Sequence, residues 1–267
     1  MKSEKIRISD LKMKKTKNEK ITCLTAYDCL TAKIIDEAGI DLILVGDSLG
    51  MVCNGYKDTL RVTIDEIIYH TKAVKRGISR SFLVSDMPFG SYQTSTTEAM
   101  KNCVKVIKES GSEAVKMEGG SELSNLVQKL ITSGINVVGH IGLMPQYVHK
   151  MGGYKIQGRE GGADKLINDA VALEQAGVSI LVLEGIVEHV AKEITSKLNI
   201  PTIGIGSGIH TDGQILVFHD VFGINKDFVP SFVKKYSEVG NVISDAAKEY
   251  IKDVKSLKFP KEKHTFR

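Results

Sequence analysis

The sequence predicts an α/β chain closed as a (β/α)8 TIM barrel, with extra C-terminal helices. Three observations carry this. Short apolar runs alternate with helical segments along nearly all of the 267 residues. The alternation yields eight strands, and the length is close to the roughly 250 residues that such a barrel takes as one domain. An open doubly wound sheet is the alternative, because connectivity alone does not show closure. No composition break or Pro/Ser-rich linker marks a second domain. The expectation is therefore one domain over 1–267, with 1–20 a basic N-terminal extension and 229–267 C-terminal helices and tail.

Strands are expected at 21–27, 42–47, 82–86, 114–118, 136–141, 179–184, 201–205 and 214–218, and helices at 29–38, 63–77, 96–110, 121–133, 163–176 and 187–198. Successive apolar positions such as Ile43, Leu44 and Val45 suit parallel strands covered on both faces. The helices show period-3.6 spacing, as in Ile64, Ile67, Ile68 and Val74, or Leu123, Leu126, Val127 and Leu130. Thr63 ahead of Glu66 forms a capping box, and glycines at 39, 77, 111, 134 and 177 close helices. Residues 229–254 carry Val242, Ile243, Ala246, Ala247, Tyr250 and Ile251 at helical spacing, suited to packing or subunit contact. Two glycine-rich connections, 49–62 and 144–162, show no element of their own and follow strands at the active-site face, as lids do; a simple surface insertion is the other reading.

Composition excludes several classes. Hydrophobic residues make up 42% and charged residues 25%, as in an ordinary globular chain. No apolar run is long enough for a membrane span, and the lysine-rich start lacks the apolar region of a secretory signal. Cys23, Cys29, Cys53 and Cys103 show neither C-x-x-C spacing nor clustering with histidine, which argues for reduced thiols, against structural zinc, and for the cytoplasm. The net charge of +4 is concentrated at the ends: residues 1–20 carry eight basic against three acidic residues, and 255–267 five against one. The rest is net acidic, and the ends do not interleave aromatics with lysines. They read as solvated tails, and a nucleic-acid surface is not indicated.

The strand ends concentrate the chemistry. Strand two ends in Asp47 and Ser48, strand three in Asp86, strand four carries Lys116 and Glu118, strand five ends in Gly139-His140 and strand six in Glu184. In barrels of this class, ligands bind beyond the carboxyl ends of the strands. Lys116 and Glu118 are two apart and share one side of their strand, which can be the barrel mouth. Singly, each residue also reads as an ion pair or a turn cap; as a set of five strand ends they point to a site. Asp47, Asp86 and Glu118 are hard oxygen donors, and one or two direct carboxylates completed by water and substrate oxygens favour Mg2+, with Mn2+ a possible substitute. His140 suits a substrate-contacting or hydrogen-bonding role better than a ligand role. A 2-oxo acid chelated to such a metal would form a magnesium-stabilised enolate, with Lys116 at the developing oxyanion. Glu184, against a wall of Leu181, Val182 and Leu183 that would raise its pKa, is the carboxylate for proton transfer.

Competing motifs fare worse. Gly46-Asp-Ser-Leu-Gly50 matches G-x-S-x-G and the GDSL esterase signature, which would make Ser48 a nucleophile. No helix is expected after it, and no histidine has an aspartate three positions before it. Gly204-Ile-Gly-Ser-Gly208 lacks dinucleotide spacing; it can present amides to an anion or make a tight turn.

A family resemblance rests on Thr25-Ala-Tyr-Asp28, Val45-Gly-Asp-Ser-Leu-Gly-Met51, Ser85-Asp-Met-Pro-Phe89, Val115-Lys-Met-Glu-Gly-Gly120, Gly139-His-Ile-Gly-Leu-Met-Pro-Gln146, Gly152-Gly-Tyr-Lys-Ile-Gln-Gly158, Val182-Leu-Glu184 and the run Ile203 to Val217. Together, and in this order, they resemble ketopantoate hydroxymethyltransferase. The resemblance implies a barrel of the phosphoenolpyruvate/pyruvate-binding type, generally a homodecamer, working in pantothenate biosynthesis. The implied reaction moves a hydroxymethyl group from 5,10-methylenetetrahydrofolate to 3-methyl-2-oxobutanoate, giving 2-dehydropantoate. It implies Asp47, Asp86 and Glu118 as magnesium carboxylates, Asp47, Ser48, Asp86 and Lys116 as oxo-acid contacts, and Glu184 as proton acceptor. Gly185 departs from the family's pattern, where cysteine is usual. Whether Glu184 removes the C3 proton or handles a later one stays open, as do a lyase or mutase of the same barrel group and a silent scaffold.

Overall fold

The computed structural model describes residues 4–159, 161–226 and 229–266. Its contacts divide the chain into two compact units, up to Val217 and from Phe218 onward. In the first, eight parallel strands close into a barrel in sequence order, the last pairing with the first. In chain order the elements are α1 (Ile8–Thr16), β1 (Ile21–Thr25), α2 (Cys29–Glu37), β2 (Leu42–Val45), α3 (Leu49–Val52), α4 (Ile64–Gly77), β3 (Phe82–Asp86), α5 (Thr96–Ser110), β4 (Ala114–Glu118), α6 (Ser124–Thr132), β5 (Asn136–Gly142), α7 (Val148–Met151), α8 (Ala163–Gln175), β6 (Ile180–Glu184), α9 (Glu188–Lys197), β7 (Thr202–Ile205) and β8 (Gly213–Leu216).

Alternation along each strand splits the core in two. Outward residues such as Val115, Met117, Leu181 and Leu183 pack with the helices, against Leu126, Leu130, Leu173 and Ile194. Inward residues Cys23, Leu42, Leu44, Phe82, Val84, Ala114, Val138, Ile180, Val182, Ile203 and Ile215 fill the barrel with apolar side chains. Inward positions nearer the carboxyl ends turn polar along the same alternation: Asp86 follows Val84, Lys116 and Glu118 follow Ala114, His140 follows Val138 and Glu184 follows Val182.

The N-terminal segment differs from the solvated tail expected of it. Ile6 and Leu11 join the interior cluster, and Leu11 is fully buried. The lysines around them are paired: Lys14 Nζ donates to Asp41 at 2.9 Å, Lys15 Nζ to Asp212 at 2.7 Å, and Lys5 pairs with Glu113. One buried leucine among the three lysines of α1 gives almost no periodicity, so the segment reads as a tail. Leu11→Ala is expected to cost about 2–5 kcal/mol in urea unfolding. At Asp41, burial raises the carboxyl pKa, but the Thr22 N–H and Lys14 outweigh it and hold the value below normal. That stabilisation is complete above the unfolded pKa, about 4, and is lost as pH falls through the depressed folded value. Asp41→Asn should therefore flatten the acid limb of stability against pH.

The sequence places no helix between its last two strands, and β7 and β8 are joined by residues 206–212 without one. Another difference is local. Gly77 ends α4 without the left-handed turn of a cap; a Cβ there would lie 2.2 Å from the Cys29 carbonyl oxygen, so close packing of α2 on α4 requires glycine. The Thr63–Glu66 capping box is present in both directions. The second unit contains α10 (Phe218–Val221) and α11 (Val239–Lys255). No residue of α11 is buried, and residues 229–238 form no helix. Among the described residues no helix is long and apolar enough to cross a membrane.

Candidate active site

Parallel register brings the polar strand ends to one rim. Asp86 lies beside Lys116, and Glu118 beside His140, in adjacent strands. β5 and β6 continue the pairing to Gly142 and Glu184. Gly142 has φ of 100°, and a Cβ there would meet the Glu184 carbonyl oxygen at 2.2 Å, so glycine lets these two strand ends close together.

The side chains meet as a buried ionic cluster. Asp47, Asp86, Lys116, Glu118 and His140 are each at most 5% exposed. Lys116 Nζ sits 2.9 Å from Asp86 Oδ1 and 3.9 Å from Glu118 Oε1. The other Asp86 oxygen, Oδ2, accepts the Asp47 N–H at 2.9 Å. His140 lies between Lys116, 3.2 Å from Nδ1, and Glu184, whose Oε2 is 3.3 Å from Nε2. Glu184 is the more open member, its side chain 17% exposed at the mouth. Ser48, half-buried, has its hydroxyl 2.8 Å from the Tyr27 hydroxyl.

The electrostatics show a surplus of negative charge. Burial, and then the charges of Asp86 and Glu118, push the Asp47 carboxyl well above the usual range despite Lys116 and a hydrogen bond from Gln146. Burial also raises Asp86, against the pull of Lys116. Burial alone would raise Glu118, but His140, Lys116 and the Gln146 N–H hold it below normal. For Lys116, burial is outweighed by Asp86, Glu118 and Asp47, so its pKa rises and it stays an ammonium. Burial and Lys116 lower His140, while Glu118 and Glu184 outweigh them and raise it. Nδ1 faces both Lys116 Nζ at 3.2 Å and Glu118 Oε1 at 3.5 Å, and Nε2 faces Glu184, so the two carboxylates favour the protonated ring.

A divalent cation fits this donor set. Three hard carboxylates carry more negative charge than Lys116 balances, and buried Asp86 Oδ1 lacks a well-directed hydrogen bond even though the ammonium is near. Among the described residues no three Asp, Glu, His or Cys side chains form a ready-made metal cage. Asp47 and Asp86 adjoin, whereas Glu118 is turned toward His140 and Gln146. The arrangement suits two direct carboxylates, with the remaining positions left to water and substrate oxygens.

A family model described as ketopantoate hydroxymethyltransferase matches residues 5–262. The chain belongs to the ketopantoate hydroxymethyltransferase family. A protein of Thermoanaerobacter sp. (strain X514) named 3-methyl-2-oxobutanoate hydroxymethyltransferase is 52% identical over 263 residues, covering 97% of this chain and 96% of that protein. Among solved structures, a phosphonopyruvate hydrolase in complex with oxalate and Mg2+ is similar at TM-score 0.62 and 11% identity, covering 97% of this chain and 93% of that one. A 2,3-dimethylmalate lyase of the PEP mutase/isocitrate lyase superfamily is similar at TM-score 0.61 and 14% identity, covering 97% and 91%. At those identities the likeness is one of fold, and it agrees with the barrel type that the motifs imply.

Within this ketopantoate hydroxymethyltransferase family member, some details depart from sequence expectation. A single-turn helix, α3, does follow Ser48, but the hydroxyl pairs with Tyr27 rather than with a histidine base. Of the apolar wall expected beside Glu184, only Val182 faces inward; Leu181 and Leu183 pack on the helices. The connection 144–162 has structure of its own, a 3-10 turn at Pro145–Tyr147 followed by α7. It is tied at both ends. Gln146 reaches Asp47 and Glu118, and Gln157 bonds to Gly185 and Val187. Gln146, Tyr92 and Tyr27 are site neighbours that sequence reasoning left without a role, although Pro145-Gln146 and Ala26-Tyr27 lie inside the motifs.

Proposed function

We propose that this transferase moves the one-carbon unit of 5,10-methylenetetrahydrofolate to 3-methyl-2-oxobutanoate, water completing the hydroxymethyl group, to form 2-dehydropantoate and tetrahydrofolate in pantothenate biosynthesis. The observation that carries the reading is the inward ionic cluster of Asp47, Asp86, Lys116, Glu118, His140 and Glu184 at one rim of the barrel. Asp47 and Asp86 would hold Mg2+, or Mn2+ in its place, with Glu118 reaching it through water. Bound there, the metal supplies Lewis acidity that favours the enolate of the oxo acid. Lys116, fixed by Asp86, offers its ammonium to the developing oxyanion, and Ser48 offers a hydroxyl to the carboxylate. Glu184, at the open edge, accepts the carbon-bound proton, and the His140 ring lies behind that carboxylate, Nε2 3.3 Å from Oε2.

The reading extends to setting. Four free cysteines suit the reducing cytoplasm. The exposed apolar side chains Val242, Ile243, Tyr250, Ile251 and Val254 on α11 support a homo-oligomer, which the family resemblance makes a decamer.

The test is product formation followed by mass spectrometry with purified protein, both substrates and Mg2+. Metal- and folate-dependent appearance of 2-dehydropantoate, abolished by chelator and restored by Mg2+, is expected. Turnover without folate, or undiminished by chelation, would contradict the reading.

A further inference from the structure

Gln146 is buried at 4% exposure, on the 3-10 turn that opens the connection after β5. Its side-chain amide bonds on both sides. Nε2 donates to Asp47 Oδ2 at 2.8 Å and to the Met87 carbonyl oxygen at 3.0 Å. Oε1 accepts from the Tyr92 hydroxyl at 2.9 Å and from Gln93 Nε2 at 3.2 Å. Its backbone N–H donates to Glu118 Oε2 at 3.0 Å. One residue thus grips two of the three carboxylates.

The orientation of the amide is dictated by its neighbours. The Met87 carbonyl can only accept, so the donor end must face it and Asp47 beside it, and the acceptor end must face Tyr92 and Gln93. Tyr92 is itself locked, because its hydroxyl accepts the Glu118 N–H at 3.1 Å while lying 3.0 Å from the Glu118 carbonyl oxygen. The chain of contacts runs from the β4 backbone through Tyr92 and Gln146 to Asp47. No shorter amide spans it, and a hydrocarbon side chain would leave the Asp47 carboxylate buried without its donor.

We infer that Gln146 is a positioning residue, which fixes the Asp47 carboxylate through Oδ2 so that Oδ1 is presented to the divalent cation, and which steadies Glu118 at the same time. The inference rests on the metal reading above. Hydrogen-bond partners of metal-binding carboxylates set ligand direction, and their loss typically weakens metal binding by about 10–100-fold. Because Gln146 begins the 144–162 connection, the same contacts tie that segment to the carboxylates.

The test is Mg2+ binding by titration calorimetry to the full chain, stripped of metal, as wild type, Gln146→Met, Tyr92→Phe and the double variant, with circular dichroism confirming each fold. Gln146→Met is expected to weaken Mg2+ by about 10-fold or more. Tyr92→Phe should weaken it less, and the double variant should match Gln146→Met alone, because Tyr92 acts through the amide. With Mg2+ saturating, kcat of Gln146→Met should recover by more than the variant's change in oxo-acid KM would explain. Equal Mg2+ affinity in wild type and Gln146→Met overturns the inference, as does full additivity of the two substitutions. Should Gln146→Met not fold, Tyr92→Phe with wild-type affinity overturns it. A wild type that binds no Mg2+ overturns the metal reading and the inference together.

Discussion

Glu184→Gln is expected to lower kcat by about 10²–10⁴-fold while 3-methyl-2-oxobutanoate still binds within a small factor of wild type. The expectation follows from where this carboxylate sits. Glu184 touches the buried cluster only through the 3.3 Å approach to His140 Nε2, and its side chain is partly open to the mouth. Glutamine keeps the length and a polar end beside that nitrogen, so the pocket's shape and the Lys116–Asp86 pair survive. What it lacks is a lone pair basic enough to take a proton. Oxo-acid binding, followed by calorimetry with Mg2+ present, separates the two roles. Lost binding with retained turnover would contradict the assignment.

Lys116→Met is expected to be damaging for both stability and turnover. The ammonium is the cation that faces Asp86, Glu118 and Asp47 from inside the barrel, and methionine fills similar volume without charge. Removing one member of a buried ion pair typically costs about 3–5 kcal/mol, because the partner charges remain uncompensated. The sign with pH is set by those carboxylates. Without Lys116 the folded pKa values of Asp47 and Asp86 rise further above the unfolded value of about 4, and that of Glu118 rises from its depressed position. The folded state then holds more protons than the unfolded one over that interval, so the stability deficit is small in acid and grows as pH rises through the folded values. Urea unfolding with chelator present, at acid and at slightly alkaline pH, checks this; a deficit independent of pH would refute it. Turnover should fall by about 10²-fold or more for loss of the oxyanion contact.

Much of the barrel is written in short-range patterns. Parallel strands buried on both faces read as apolar runs, and the bounds of β3 and β4 match their expected ranges at both ends. The inward polar set was legible for the same reason: a period of two places Lys116 and Glu118 on one side, and adjacent parallel strands carry Asp86, His140 and Glu184 to the same rim. Gln146 and Tyr92 were not legible in this way. They lie in connections without periodicity, and only closure of the barrel brings Gln146 to an aspartate 99 positions away in sequence. The α1 plug was hidden by composition, since its lysines are satisfied by Asp41 and Asp212 from distant strand starts.

The central claim is that acidic groups from separate strands jointly make an oxo acid lose a carbon-bound proton with a divalent cation bound. It is tested most directly by following the C3 hydrogen of 3-methyl-2-oxobutanoate by NMR in deuterium oxide, with wild-type protein and Mg2+ and no folate. The account predicts protein-dependent exchange that stops on chelation, returns with Mg2+ and is lost in Glu184→Gln. A C3 hydrogen that stays in place with oxo acid and Mg2+ both bound would contradict it.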